Sequence, residues 1–82
     1  MHVKMIHCKA YRVLLADLRN ARVAQGLRQE DVGRKLGLSA DWVGKVEAGE
    51  IRLDLLHFVR LCRVYGAPAD DIIRRFQEEV PA

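Results

Sequence analysis

Residues 29–49, QEDVGRKLGLSADWVGKVEAG, decide the fold of this chain. Two short helical patterns meet there at Gly37, a residue type that tolerates the left-handed backbone of a tight turn. Gly33 supplies a small residue where two helices must cross closely, and Ser39 suits the N-cap of the second helix. Apolar residues at fixed offsets complete a shared core: Val32, Leu36, Leu38, Val43 and Val46. The stretch predicts two helices that cross at a steep angle through a tight turn.

The flanking sequence predicts three further helices and an all-α fold of five helices. Before the stretch, YRVLLADLRNARVAQ carries an apolar stripe and stops at Gly26. The stripe contains Leu14, Leu15, Leu18 and Ala21, and it leaves Val23 open. After the stretch, a fourth helix is expected from about Asp54 to Tyr65, and a fifth after Pro68. Strand-like runs are scarce, and aromatic residues make up only 6% of the chain.

The chain is expected to hold one domain, because 82 residues suffice for a single modest core. Residues 1–10, MHVKMIHCKA, have no clear helical period and are predicted to form a flexible arm or a short strand. Residues 11–79 form the predicted domain, and residues 80–82 a frayed tail.

Composition argues against several classes of function. Cys8 and Cys62 lie far apart, and the three histidines form no metal-like spacing with them, so neither a metal nor another cofactor is expected. This cysteine usage fits a reducing cytoplasm. No apolar run approaches a membrane span, and no nucleophile, base or phosphate-loop motif is present. We expect a cytoplasmic protein that is not an enzyme and has no small-molecule substrate.

The charge is unevenly distributed along the chain. Residues 1–35 hold eight basic and three acidic residues, a net charge of +5. Residues 36–82 hold six basic and eight acidic residues, a net charge of −2. This asymmetry is consistent with an anionic partner for one face, but charge alone favours an ordinary solvated surface.

The chain resembles the phage repressor/Cro helix-turn-helix family, the lambda-repressor-like five-helix domains. The resemblance rests on LRNARVAQGL, QEDVGRKLGLS, VGKVEAGE and GAPADDII, and it covers about residues 14–76. It implies a regulator that binds double-stranded DNA at a palindromic operator, usually as a homodimer. The third helix would enter the major groove while the second crosses the backbone.

The resemblance also implies a set of DNA-contacting residues, some of which have an alternative role. Asp41 would accept from cytosine or remain solvated, and Lys45 would bind guanine or a phosphate. Trp42 would pack at the edge of the helix pair or contact DNA. Arg52 would contact a phosphate or remain a solvated loop residue. The complete set is Arg28, Gln29, Ser39, Ala40, Asp41, Trp42, Gly44, Lys45 and Arg52.

Two structural roles follow from the same resemblance. Arg22 and Glu47 match a pair that forms an internal salt bridge, and Ile73 and Phe76 are expected at the dimer interface. Arg28 replaces the usual Ser or Thr cap of the second helix, which should weaken its start by ~1 kcal/mol.

A second function remains open from the sequence alone. Ala40, Asp41 and Gly44 are a poor set for reading bases, so the same scaffold would also suit an antitoxin or another protein-interaction module with a partner such as a toxin. A continuous positive surface would favour DNA, whereas neutralisation by neighbouring carboxylates would favour a protein partner.

Overall fold

The computed structural model describes residues 8–81, and these residues form an all-α fold. The predicted five-helix architecture is confirmed for this part of the chain. None of its helices is long and apolar enough to cross a membrane. The helices are α1 (Lys9–Ala24), α2 (Gln29–Leu36), α3 (Ala40–Glu47), α4 (Leu55–Tyr65) and α5 (Ala69–Glu79).

The first helix begins earlier than the sequence suggested. The prediction of an arm over residues 1–10 is wrong for Lys9 and Ala10, which belong to α1, with Cys8 at its N-cap. Ala10 is 2% exposed and packs in the core. The helix therefore begins before the first residue of the apolar pattern in the sequence. The remainder of the arm, residues 1–7, lies outside the described residues.

The core lies where all five helices converge. Val32 from α2 and Val43 from α3 are almost completely buried, and they pack with residues of α1, α4 and α5. Val23, which the sequence left open, is 54% exposed. The buried cluster comprises Leu14, Leu18, Val32, Leu36, Val43, Phe58, Leu61, Cys62, Tyr65 and Ile72.

The crossing of α2 over α3 depends on two glycines. Gly37 ends α2 with φ = +73°, the left-handed conformation that costs glycine least. The chain then turns back, and the Leu38 N–H donates to the Gly33 carbonyl at 2.7 Å. A Cβ on Gly33 would lie 2.8 Å from the carbonyl carbon of Ser39, so the following backbone occupies the space of a side chain.

The ends of the helices are held by side chains close in sequence. The Trp42 N–H donates to Ser39 Oγ at 3.0 Å, which caps α3 as the sequence suggested. The N-cap of α2, Arg28, has no side-chain acceptor. Instead, Asp31 Oδ2 accepts from the Arg28 N–H at 2.8 Å. This bond is half of a capping box and offsets part of the expected loss.

Gly33→Ala should lower the free energy of unfolding by about 1–3 kcal/mol, because the new methyl group meets backbone atoms that cannot rotate away. Urea denaturation followed by circular dichroism measures the change. Gly44→Ala is the matched control. Its Cβ would meet only the flexible Gln29 side chain, at 3.2 Å, and helix propensity favours alanine by about 1 kcal/mol. Equal stability of the two variants would contradict the proposed crossing.

Candidate functional site

The third helix presents one face to the core and the opposite face to solvent. Val43 and Val46 are 1% and 2% exposed and anchor the helix. Ala40, Asp41 and Lys45 are exposed on the other side. The outward face therefore belongs to a helix whose position is fixed from behind, as a surface that reads a rigid partner requires.

Gln29 joins this helix to the start of α2. Its side chain is half-buried, and Nε2 donates to Glu47 Oε1 at 3.0 Å. Gly44 faces the same side chain, since a Cβ there would lie 3.2 Å from Gln29 Oε1. The missing side chain at Gly44 thus makes room for the Gln29 carboxamide, a contact within the protein that sequence reasoning did not anticipate.

Glu47 also receives a buried guanidinium from α1. Arg22 Nε donates to Glu47 Oε2 at 2.6 Å, and Nη2 donates to Oε1 at 3.1 Å. Arg22 Nη1 donates to the Leu27 carbonyl at 2.8 Å. Hydrogen bonding to Glu47 is the main cause that raises the pKa of Arg22. This network fixes the relative positions of α1, α2, α3 and the loop before α2.

The aromatic residue of α3 packs partly against the core and partly against α4. Trp42 is half-buried against the core, and its ring centroid lies 5.1 Å from that of His57 on α4. His57 is fixed by Asp54, whose Oδ1 accepts from the His57 N–H at 2.8 Å and lies 2.9 Å from Nδ1. The backbone N–H bond is the main cause that lowers the pKa of Asp54. Sequence reasoning did not assign His57 this supporting role.

A family model described as a helix-turn-helix domain matches residues 12–74, most of the chain. The chain belongs to the helix-turn-helix domain family. Membership in this family suggests a DNA-binding regulator. No curated protein and no solved structure gives a significant match. Residues 28–52 form the helix-turn-helix unit, which comprises α2, the turn, α3 and the residues that flank them.

The charges of the helix-turn-helix unit are balanced. It contains five basic and five acidic residues. Lys45 Nζ lies 3.3 Å from Asp41 Oδ2, and these side chains are 48% and 75% exposed. An exposed pair of this kind contributes at most about 1 kcal/mol, so a stronger anion would open it at little cost.

The same pairing occurs at the start of α2. Arg28 lies 3.5 Å from Glu30 and 3.4 Å from Asp31, and Arg34 lies 2.7 Å from Asp31. The N–H and side chain of Arg28, in that order, lower the pKa of Asp31 to about 2. The hydrogen bond to Asp31 is also the main cause that raises the pKa of Arg28.

Two cations of the helix-turn-helix unit remain available. Lys35 and Arg52 are exposed and form no ion pair within residues 8–81. Sequence reasoning singled out Arg52 but missed Lys35, which lies in the last turn of α2. The sequence signal for it was helical spacing: Asp31 and Arg34 are three residues apart on α2 and pair, which leaves the adjacent Lys35 without that carboxylate.

The residues expected at a dimer interface lie on α5, in a groove that Arg52 also lines. Ile73 and Phe76 are half-buried on α5, where they line an apolar groove of about 550 Å³. Leu55 and Val80 line the same groove and are 73% and 46% exposed. No group of three His, Cys, Asp or Glu side chains in the described part of the chain suits a metal ion.

Glu47→Ala should lower the free energy of unfolding by about 3 kcal/mol, because the guanidinium of Arg22 would stay buried without its carboxylate. Thermal and urea unfolding measure the loss. Replacing both partners, Arg22→Met with Glu47→Leu, should recover much of it because no buried charge remains. An unchanged melting temperature for Glu47→Ala would contradict the structural role of the pair.

Asp31→Asn should lower the melting temperature at neutral pH but not in strong acid. The pKa of Asp31 is about 2 in the folded protein, below the ~3.9 of an unfolded chain. Its carboxylate therefore stabilises the fold above about pH 4, and this contribution disappears as the pH falls through about 2. Melting curves across this range test the expectation, with the exposed Glu78→Gln as control. A difference from wild type that does not change with pH would refute it.

Proposed function

We propose that this chain is a transcriptional regulator of the phage repressor/Cro type, acting as a repressor or an autoregulator. It binds a palindromic operator as a homodimer, with α3 in the major groove and α2 across the backbone. One observation carries the proposal. The α2–α3 crossing fixes α3 from behind through Val43 and Val46 and leaves Ala40, Asp41 and Lys45 facing outward.

The outward residues have simple partners on base edges. The Ala40 methyl suits the thymine methyl group, and Asp41 accepts from the amino group of cytosine. Lys45 donates to guanine O6 or N7 after leaving Asp41, and the exposure of that pair keeps the cost small. Three short contacts give limited direct readout, so DNA shape and half-site spacing supply the remaining specificity.

Contacts with the DNA backbone come from both ends of the helix-turn-helix unit. Within the helix-turn-helix unit, Arg52 and Lys35 are the cations that form no ion pair with residues 8–81, and Arg28 joins them after releasing Asp31. Ser39 and the first amides of α3 approach a phosphate at the N-terminal end of that helix. Gln29 contributes through its backbone while its side chain remains with Glu47.

The dimer contact is assigned to α5. Ile73 and Phe76 line the apolar groove beside the exposed Leu55 and Val80, so a second copy would cover apolar surface there. Two copies related by a twofold axis present two α3 helices to successive major grooves, which matches a palindromic operator.

A protein-interaction or antitoxin module is the second candidate. The balanced charge of the helix-turn-helix unit favours it, because most cations there already have a carboxylate partner. On this hypothesis, the outward face of α3 contacts a protein and DNA binds weakly or not at all.

DNA binding is tested by fluorescence anisotropy with random duplex DNA and with the chain's own promoter, at about 50 and about 200 mM salt. Tighter binding to the promoter, with a steep loss at higher salt, is expected. Arg52→Ala should weaken both duplexes and reduce the salt slope by about 1. Lys45→Ala should mainly reduce the preference for the promoter.

Arg74→Ala is the matched control. Arg74 is an exposed arginine paired with Asp71 on α5, which packs on α1 rather than on α2 or α3. The variant should bind DNA like wild type. Absence of binding to either duplex at low salt would reject the DNA proposal and leave a protein partner as the target.

A further inference from the structure

The apolar groove has the size and composition of a small-molecule site. It opens between the start of α1, the start of α4 and the face of α5, with a volume of about 550 Å³. Pockets for small ligands commonly measure about 300–1,000 Å³ and are mostly apolar with a few polar groups. Apolar and aromatic side chains line it, among them Tyr11, Leu14, Phe58, Ile73 and Phe76.

One charge at the rim lacks a partner. Arg52 and Asp54 are the charged residues that line the groove within residues 8–81. Asp54 is engaged by the N–H and ring of His57. Arg52 is exposed and makes no ion pair or hydrogen bond with the described residues. Its guanidinium is therefore available to an anion that enters the groove.

We propose that this groove binds an apolar carboxylic acid, with the hydrocarbon body against α1, α4 and α5 and the carboxylate on Arg52. The guanidinium of Arg52 selects an acid over a neutral or cationic ligand of the same shape. The hydroxyl of Tyr11 accepts from the Leu53 N–H at 3.0 Å, which fixes this side of the groove before a ligand enters.

Such a ligand would regulate the protein if the proposed function holds. Arg52 is assigned to the DNA backbone, while Ile73 and Phe76 are assigned to the dimer contact. An acid that occupies both places competes with DNA and with the second copy, so its binding lowers operator affinity by mass action. This regulatory step rests on the proposed function, whereas the binding site itself does not.

The test uses decanoate and decanol, which share a chain length and differ in the charged group. Titration calorimetry on the full chain without DNA separates this test from the DNA proposal. Decanoate should bind one molecule per chain, about fivefold more tightly than decanol. Arg52→Ala should remove this preference and leave decanol binding unchanged.

A second pair of variants locates the site. Leu55 and Val23 are both exposed apolar residues on helices, 73% and 54% exposed, but only Leu55 is a groove residue. Leu55→Asn should weaken both ligands, and Val23→Asn should weaken neither. Decanoate should also slow maleimide labelling of Cys8, which lines the groove, while Cys62 is buried.

Three results would overturn the proposal. Equal affinity for decanoate and decanol would remove the role of Arg52. Binding that Leu55→Asn leaves unchanged would place the ligand elsewhere. Failure of decanoate to bind a chain that sedimentation shows to be dimeric, and that Leu55→Asn makes monomeric, would identify a second copy as the occupant.

Discussion

The guanidinium of Arg22 lies between three helices and a loop, and the orientation of the outward face depends on it. It holds Glu47 at the end of α3 and the Leu27 carbonyl before α2, while Gln29 completes the carboxylate's hydrogen bonding. Desolvating such a pair is costly, so its contribution lies in fixing one arrangement rather than in raising stability. A helix of eight residues needs an external constraint of this kind because its own hydrogen bonds barely sustain it.

The cations of the helix-turn-helix unit divide into those paired with carboxylates on the protein and those that are not paired with the described residues. Arg28 and Lys45 are partnered on the protein through exposed ion pairs, which cost little to open. Lys35 and Arg52 remain to provide the first attraction, and the modest net charge of +3 limits how far it extends.

The groove beside α5 places an apolar surface next to a loop that carries an unpaired arginine. Arg52 lies on the segment between α3 and α4, three residues before Leu55, the first residue of α4. Any molecule that covers Leu55 therefore lies close to the cation assigned to DNA. In a domain of this size, effector, partner and DNA would act on overlapping surfaces.

The sequence by itself determined the five helices within the described residues, because glycine breaks, caps and apolar period are local properties of the chain. Gly37 marks a turn before any fold is known, and its positive φ agrees. Only the tertiary structure decided where Gln29 points, that Gly44 faces the Gln29 side chain and that Val23 faces solvent. These outcomes depend on which atoms from distant segments share a space, and neither helical spacing nor residue type specifies that.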